Sequence, residues 1–143
     1  MIREIQLKDK EQWEELYKGY ADFYKVEMND KIFQTVWNWL HDKSHEVDGL
    51  VYEVGGNIAG LAHYRRMPSP LRGQDIGFLD DLFVDPEHRG QKIGEQFINK
   101  LKEMSKAKGW NLVRWITRDD NVRAKSLYDR VAKKTNWNVY ELK

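Results

Sequence analysis

The sequence predicts one α/β domain, in which a mixed, mostly antiparallel and twisted sheet carries helices on both faces. Apolar residues recur at helical spacing in some segments and form short β-type runs in others, in the order β-α-α-β-β-β-α-β-α-β. No internal repeat and no linker rich in Pro or Ser separates these segments. We therefore expect residues 1–143 to form a single domain around one sheet.

The first elements are predicted to be a strand and two helices. A short strand over residues 2–6 leads to a helix over residues 10–24, for which Asp9 offers an N-cap. Asn29 or Asp30 would cap a second helix. The apolar stripe of that helix, at a spacing of three and four residues, consists of Phe33, Val36, Trp37 and Leu40.

The middle of the chain is predicted to form three strands. Residues 48–54 and 58–65 flank Gly55-Gly56-Asn57, and glycines between two apolar runs indicate a hairpin because tight hairpin turns need positive φ. Residues 67–74 contain two prolines and a glycine and are expected to be a loop. Residues 76–84 form the next predicted strand, which Asp85-Pro86 ends.

The last part of the chain is predicted to alternate between helix and strand. A helix over residues 90–108 ends at Gly109, and a strand over residues 112–117 follows it. A helix over residues 121–132 and a final strand over residues 137–142 complete the order.

The composition excludes several classes of protein. With 24 basic and 23 acidic residues the net charge is only +1, which argues against nucleic acid and a membrane as partners. The absence of cysteine removes disulfides, cysteine zinc sites and a cysteine acyl intermediate, and it is typical of a cytoplasmic protein. The four histidines share no metal-ligand spacing, so no metal site is expected.

The most informative segment is residues 79–94, a strand followed by a sharp turn and a glycine-bearing helix start. The first N–H groups of a helix have no internal partner, and the helix dipole adds positive potential there. Gly90 lets an anion approach the backbone, and Arg89 and Lys92 add full charges. The segment therefore predicts a site for a pyrophosphate, although a structural turn would give the same pattern. The glycine spacing of a P-loop or a dinucleotide-binding fold is missing.

Two motifs carry a resemblance to a known family. The run Asp81-Leu82-Phe83-Val84-Asp85-Pro86 followed by Arg89-Gly90-Gln91-Lys92-Ile93-Gly94 resembles motif A of the GNAT acetyltransferases, which has the form Q/R-x-x-G-x-G/A. Lys92 stands where that motif has its middle glycine. Downstream, the run Asn121 to Tyr128 resembles motif B, N-x-x-A-x-x-L-Y. The resemblance spans essentially the whole chain and is greatest to small members related to histone and amino-acid acetyltransferases.

The resemblance implies acetyl-coenzyme A as the cosubstrate and direct transfer to a primary amine in a ternary complex. The N–H of Leu82 would polarise the thioester oxygen, as an oxyanion hole does. The cofactor-binding residues carried over from the motifs are Leu82, Phe83, Val84, Arg89, Gly90, Gln91, Lys92, Ile93, Gly94, Glu95, Asn121 and Tyr128.

The resemblance also assigns the catalytic and acceptor-binding roles. An amine with a pKa of about 10.4 arrives protonated at neutral pH, so a base must remove a proton. Asp80 lies where many relatives carry a glutamate and is the candidate base, but a strand bulge could bring Asp81 there instead. Tyr128 matches the tyrosine that protonates the thiolate, and helical spacing also allows it a core role. Tyr20, Phe23 and Tyr24 are expected to line the acceptor site together with Asp80.

Other functions remain open at this point. The fold could use another acyl donor or acceptor, it could bind coenzyme A without catalysis, or it could present its tryptophans to another protein. The acceptor itself could be a small molecule or a peptide amine, and its identity does not follow from the sequence. A homodimer is a further expectation, with residues 137–142 as the contact.

Overall fold

Five strands form one sheet in the computed structural model, which describes Met1–Lys143, and their order across the sheet is β1-β2-β3-β4-β5. The first four strands run antiparallel to their neighbours, whereas β5 joins β4 in parallel. The strands are β1 (Ile2–Glu4), β2 (Val47–Val54), β3 (Asn57–Ser69), β4 (Gln74–Val84) and β5 (Val113–Arg114). The predicted mixed, mostly antiparallel sheet is confirmed.

Four helices cover the sheet, and their starts follow the predicted caps in part. The helices are α1 (Lys10–Phe23), α2 (Asp30–Leu40), α3 (Ile93–Lys108) and α4 (Val122–Val131). Asn29 caps α2, since its side chain accepts a hydrogen bond from the N–H of Ile32 at 2.9 Å. Asp9 does not cap α1 with its side chain, because that carboxylate pairs with Arg3 at 2.7 Å.

Two apolar clusters lie on opposite faces of the sheet. On one face α3 packs against β2, β3 and β4, with Phe97 and Leu101 at the centre of the cluster. On the other face α1 and α2 pack, with Trp13 and Trp37 at its centre. This two-sided packing stabilises the sheet from both faces.

A β-bulge interrupts the pairing of β3 with β4. His63 is opposite Asp81 and Tyr64 is opposite Leu79, so Asp80 is left without a partner in the ladder. A bulge re-aims the side chain at the extra residue. The bulge therefore lets Asp80 and Asp81, although adjacent in sequence, line the same cavity.

The strands β4 and β5 separate soon after they meet. Only Gly77 and Phe78 of β4 pair with β5, at Val113 and Arg114. The predicted strand over residues 112–117 is thus too long. The remainder of β4 keeps its backbone edge on that side free of any neighbouring strand, which leaves a cleft between the two strands.

Two other predicted boundaries were wrong. Residues 67–74 are not a loop throughout, because β3 continues to Ser69 and β4 begins at Gln74, which leaves a tight turn between them. The third helix begins at Ile93 rather than at residue 90, because Gly90 and Lys92 have positive φ and form a turn before it.

The predicted last strand over residues 137–142 does not form. This segment pairs with no strand, and its large apolar side chains are exposed, Tyr140 to 90% and Leu142 to 104%. The reason is that β5, the edge strand, has only two residues and offers no ladder for a longer strand. The order β-α-α-β-β-β-α-β-α-β is therefore corrected to β-α-α-β-β-β-α-β-α.

None of the helices combines the length and the hydrophobicity that a membrane span requires.

Candidate functional site

The turn between β4 and α3 presents a row of free backbone donors. The N–H groups of residues 90–95 donate to no protein acceptor, and the first bond of α3 runs from Gln96 to the carbonyl of Lys92 at 3.0 Å. Unpaired amides at the positive end of a helix dipole favour an anion. The predicted pyrophosphate site therefore has the donors that it needs.

The conformation of this turn explains its glycine pattern. Gly90 has φ +85° and Lys92 has φ +59°, both in the left-handed region that favours glycine. Lys92 therefore occupies the motif position of a glycine and also adopts the conformation that glycine prefers. At the last motif position, a Cβ on Gly94 would lie 3.4 Å from the side chain of Leu127 on α4, an ordinary van der Waals contact.

The free edge of β4 leads from this turn into the cleft. The N–H of Asp85 donates to the carbonyl of Ala59 on β3 at 2.8 Å. Successive N–H groups of a strand point to alternate sides, so those of Leu82 and Val84 face away from β3, towards the cleft. Phe83 is 8% exposed, its ring packs in the core under α1 and its N–H faces β3, so neither group is free for a ligand in the cleft.

Asp80 lies on the bulge beside one cation, with its side chain 30% exposed. Both of its carboxylate oxygens accept from Nε of Arg65, at 3.2 Å and 3.0 Å. Burial raises the pKa of Asp80, and the hydrogen bond from Arg65 opposes that rise. A carboxylate whose pKa is raised is a better proton acceptor than an ordinary aspartate.

Asp81 is bound into a buried network. His63 Nδ1 lies 2.8 Å from Asp81 Oδ2, the hydroxyl of Tyr17 donates to the same oxygen at 3.0 Å, and Trp13 Nε1 donates to His63 Nε2 at 2.9 Å. Burial tends to raise the pKa of Asp81, but the hydrogen bond from His63, together with those from Tyr20 and Tyr17, outweighs it and the pKa is lowered. Asp81 is therefore the poorer base of the two carboxylates.

Tyr128 lies at the other side of the cleft, on α4. Its ring packs edge-on against Trp115, with centroids 5.3 Å apart, and its hydroxyl has no hydrogen-bond partner in the protein. Burial, and then the neighbouring Tyr24, raise the pKa of Tyr128 to about 12. The hydroxyl therefore stays protonated at neutral pH and is free to donate.

Asn121 joins α4 to α1. Its Oδ1 accepts from the N–H of Ala124 at 3.3 Å and so caps α4, while its Nδ2 donates to the hydroxyl of Tyr24 at 3.1 Å. This contact places Tyr24 near Tyr128, next to the cleft. Glu95 accepts from Arg130 at 2.8 Å, which ties α4 to the start of α3.

A cavity of about 630 Å³ opens beside the two aspartates, on the face of the sheet that α1 and α2 cover. Its charged lining residues are Glu46, Arg65, Arg66, Asp80 and Asp81. Tyr20, Phe23 and Tyr24 were predicted to line the acceptor site, but this cavity does not include them. Phe23 lines a second cleft of about 850 Å³ on the outer side of α1, as does Arg89, whose guanidinium lies 6.0 Å from the centre of the Phe83 ring.

The prediction from sequence missed Tyr17, His63, Trp13 and Arg65 as neighbours of the site. Trp13 and Tyr17 belong to the apolar stripe of α1, where a core role accounts for them. His63 and Arg65 lie in a strand with no motif around them, and only the pairing of β3 with β4 brings them to Asp81 and Asp80. The one signal in the sequence for these neighbours was His63, a polar residue inside an apolar strand. In the structure His63 is 1% exposed.

These features together permit transfer of a group between two bound molecules. The free amides can hold a phosphate group and the free edge of β4 can pair with an extended chain, while a carboxylate lines the cavity beside β4 and a phenol lies on α4. No group of three or more His, Asp or Glu side chains is arranged to hold a metal ion.

Comparison with known proteins gives one consistent result. The family model described as the acetyltransferase (GNAT) family matches residues 13–132. The D-amino-acid N-acetyltransferase of Saccharomyces cerevisiae is 28% identical over 99% of this chain and 89% of that protein. The thialysine N-epsilon-acetyltransferase of Bos taurus is 38% identical over 52% of this chain and 43% of that protein.

Solved structures show the same fold at lower identity. A ribosomal-protein-alanine N-acetyltransferase from Brucella melitensis biovar Abortus 2308 matches with a TM-score of 0.80 at 23% identity, over 100% of this chain and 98% of that chain. The structure of AAC(6')-Iy in complex with the bisubstrate analog CoA-S-monomethyl-acetylneamine matches with a TM-score of 0.84 at 18% identity, over 100% of this chain and 97% of that chain.

Proposed function

Because this chain belongs to the GNAT family of acetyl-CoA-dependent N-acetyltransferases, we propose that it transfers acetyl to a primary amine by direct attack in a ternary complex. The observation that carries the proposal is the row of free amides at residues 90–95, which follows the free edge of β4, the strand that also carries Asp80 on its bulge. The reaction needs hydrogen-bond donors for the pyrophosphate, a strand edge that binds the pantetheine arm, and a base.

The residues present fit the cosubstrate. The amides of residues 90–95 would hold the pyrophosphate, and the outward N–H groups of Leu82 and Val84 would pair with the pantetheine arm. Acetyl-coenzyme A, when bound, supplies the thioester that the amine attacks. Asn121 would keep its capping bond and turn its Nδ2 from Tyr24 to the arm.

Asp80 rather than Asp81 is proposed as the general base. Asp80 has a single cationic partner and lies on the bulge at the cavity, whereas Asp81 is already bound by His63 and Tyr17. The acceptor ammonium loses a proton to solvent through Asp80, and the nitrogen attacks the acetyl carbon.

Tyr128 is proposed as the general acid. As the C–N bond forms and the C–S bond breaks, a second proton leaves the nitrogen for Asp80 and Tyr128 gives one to the sulfur. Asp80 then returns its proton through solvent to the phenolate of Tyr128, so that of the two protons lost by the ammonium one is balanced by the thiol and the other remains in solvent. The hydroxyl of Tyr128, which has no partner in the protein and stays protonated at neutral pH, supports this role.

A small amine is the proposed acceptor. Two relatives are named for amino-acid acceptors, a D-amino acid and thialysine. The cavity beside Asp80 has the volume for a molecule of that size and holds both carboxylates and guanidinium groups.

Thiol release measured with acetyl-CoA and a panel of amines tests the function. We expect turnover with at least one amine, and Asp80→Asn and Tyr128→Phe should each lose it while calorimetry finds unchanged affinity for coenzyme A. Asp75→Asn, an exposed aspartate of the same strand that pairs with Arg66, is the matched control and should keep full turnover. Binding of coenzyme A without turnover on any amine would instead indicate a binding module.

We also propose that the chain forms a homodimer through residues 137–142. Trp137, Val139, Tyr140 and Leu142 are exposed, between 66% and 104%, and have the composition of a strand without a partner in this chain. A second copy would offer the same segment and the free edge of β5.

Light scattering after size exclusion tests the dimer. The natural chain should have twice the mass of its monomer, and the double variant with Trp137→Ser and Tyr140→Ser should have the mass of one monomer. A natural chain that stays monomeric at high micromolar concentration contradicts the proposal.

A further inference from the structure

One residue of the cavity, Arg65, has more donors than the protein uses. Its Nε donates to both oxygens of Asp80, whereas the two terminal nitrogens, Nη1 and Nη2, have no acceptor in the protein. A guanidinium group presents a planar fork that matches a carboxylate with two parallel hydrogen bonds. Arg65 therefore offers an unused pair of donors beside the proposed base.

The orientation of this guanidinium is fixed from a second side. Its central carbon lies 4.7 Å from the centre of the Phe78 ring, within the range of a cation–π interaction. Phe78 is directly opposite Arg65 on β4, so the Phe78 ring and the Asp80 carboxylate together fix the side chain of Arg65. A group held in this way loses little conformational entropy when it binds a ligand.

The other arginine of the cavity is placed differently. Arg66 pairs with Asp75 at 3.2 Å, and the two side chains are 48% and 41% exposed. It has no contact with either carboxylate of the cavity. Arg65 is thus the arginine that can join an anionic group of an acceptor to the base.

We propose that Arg65 binds a carboxylate of the acceptor through its terminal nitrogens while its Nε keeps Asp80 in place, so that the enzyme selects amines with a carboxylate close to the reacting nitrogen. This inference rests on the proposed function. In this arrangement the acceptor is zwitterionic. Its ammonium group faces Asp80, and its carboxylate faces the terminal nitrogens of Arg65. Amines without a carboxylate leave a partly buried cation without its second partner.

Two sets of matched acceptors test the proposal. Each consists of an amino acid, its amide and its decarboxylated amine: leucine, leucinamide and 3-methylbutylamine, and lysine, lysinamide and 1,5-diaminopentane, with both enantiomers where they exist. The natural enzyme should favour the amino acid in kcat/KM by about tenfold to a hundredfold, the range of a hydrogen bond between charged groups.

The decisive variant is Arg65→Gln, which should lose this preference: release of Asp80 lowers kcat/KM for every member of a set, and the amino acid also loses the partner of its carboxylate. Arg65→Lys should retain part of it, and Arg72→Gln, an exposed arginine at the β3–β4 turn, should retain all of it. In addition, 4-methylpentanoate, which has a carboxylate and no amine, should inhibit the natural enzyme and not Arg65→Gln.

Two results would overturn the proposal. One is a natural enzyme that acetylates the decarboxylated amine as well as the amino acid. The other is an Arg65→Gln variant in which kcat/KM falls by the same factor for all members of a set, which would show a role in holding Asp80 only. Absence of turnover with every amine would overturn the proposed function, and this inference with it.

Discussion

His63 and Asp81 face each other across β3 and β4, with Nδ1 of the ring 2.8 Å from Oδ2 of the carboxylate. Since Trp13 Nε1 can only donate, Nε2 of His63 accepts from it and the ring proton is on Nδ1. The ring is thereby fixed in one tautomer. The carboxylate of Asp81 accepts hydrogen bonds from Tyr17 on α1 and from His63 on β3.

Asp81→Asn should destabilise the protein rather than remove the base. We expect a loss of about 2 kcal/mol in the free energy of unfolding at neutral pH, since a buried hydrogen-bonded charge is removed. The lowered pKa of Asp81 gives stability that is present above its ordinary value of 3.8 and is lost as the pH falls through the folded value. Urea unfolding at pH 7 and at pH 3 should therefore show a smaller difference between variant and natural protein at pH 3. An equal difference at both pH values would contradict this.

The pH dependence of kcat/KM should report Asp80. Its pKa is raised by burial, so the acidic limb is expected above the ordinary value of 3.8. Turnover should fall as the pH falls through that pKa, because the base becomes protonated. In Asp80→Asn the limb should disappear together with a loss of about 10²-fold in kcat. A variant that keeps the same limb would assign the base to another group.

Tyr128→Phe should lower kcat by about 10²-fold and leave the affinity for coenzyme A unchanged. Since the pKa of Tyr128 is about 12, its loss of a proton should not reduce kcat of the natural enzyme anywhere between pH 7 and pH 10. Stopped-flow or steady-state measurement of kcat for the variant and the natural enzyme across that range checks the two statements about kcat. Calorimetry with coenzyme A checks the affinity. A fall of kcat centred near pH 10 would show an unperturbed tyrosine.

Lys92→Gly should stabilise the protein. Lys92 has φ +59°, which costs a residue with a side chain about 1 kcal/mol, and glycine avoids this cost. Lys92→Ala is the matched control, because it removes the same ammonium group and keeps the unfavourable backbone. Thermal and urea unfolding should place the glycine variant above the natural protein and the alanine variant at or below it. The reverse order would show that the turn is not strained.

The elements that the sequence predicted well are those with local signals. Asn29 caps α2 as expected, and the hairpin at Gly55-Gly56 forms because both glycines have positive φ. The free amides at residues 90–95 followed from a turn motif and a helix start, which are also local. These features depend on a few neighbouring residues, which is why they could be read without the fold.

The parts of the site that could not be predicted depend on pairing between distant segments. The bulge at Asp80 follows from the register of β3 against β4, and so does the contact of Arg65 with that residue. The sequence raised a bulge at Asp80 and Asp81 as an alternative, but only the register of β3 against β4 shows that Asp80 is the extra residue. The error over residues 137–142 has the same origin, since a β-type pattern predicts a strand only if an edge is there to receive it.

The short contact between β4 and β5 also has a consequence for handling the protein. A strand with a long unpaired backbone edge is a template for the edge of another molecule, and proteins protect such edges against aggregation. Here the coenzyme would occupy that edge and act as its cover. Samples kept with coenzyme A should therefore stay dispersed on heating for longer than samples without it, because a ligand that binds only the native state also lowers the population of open forms.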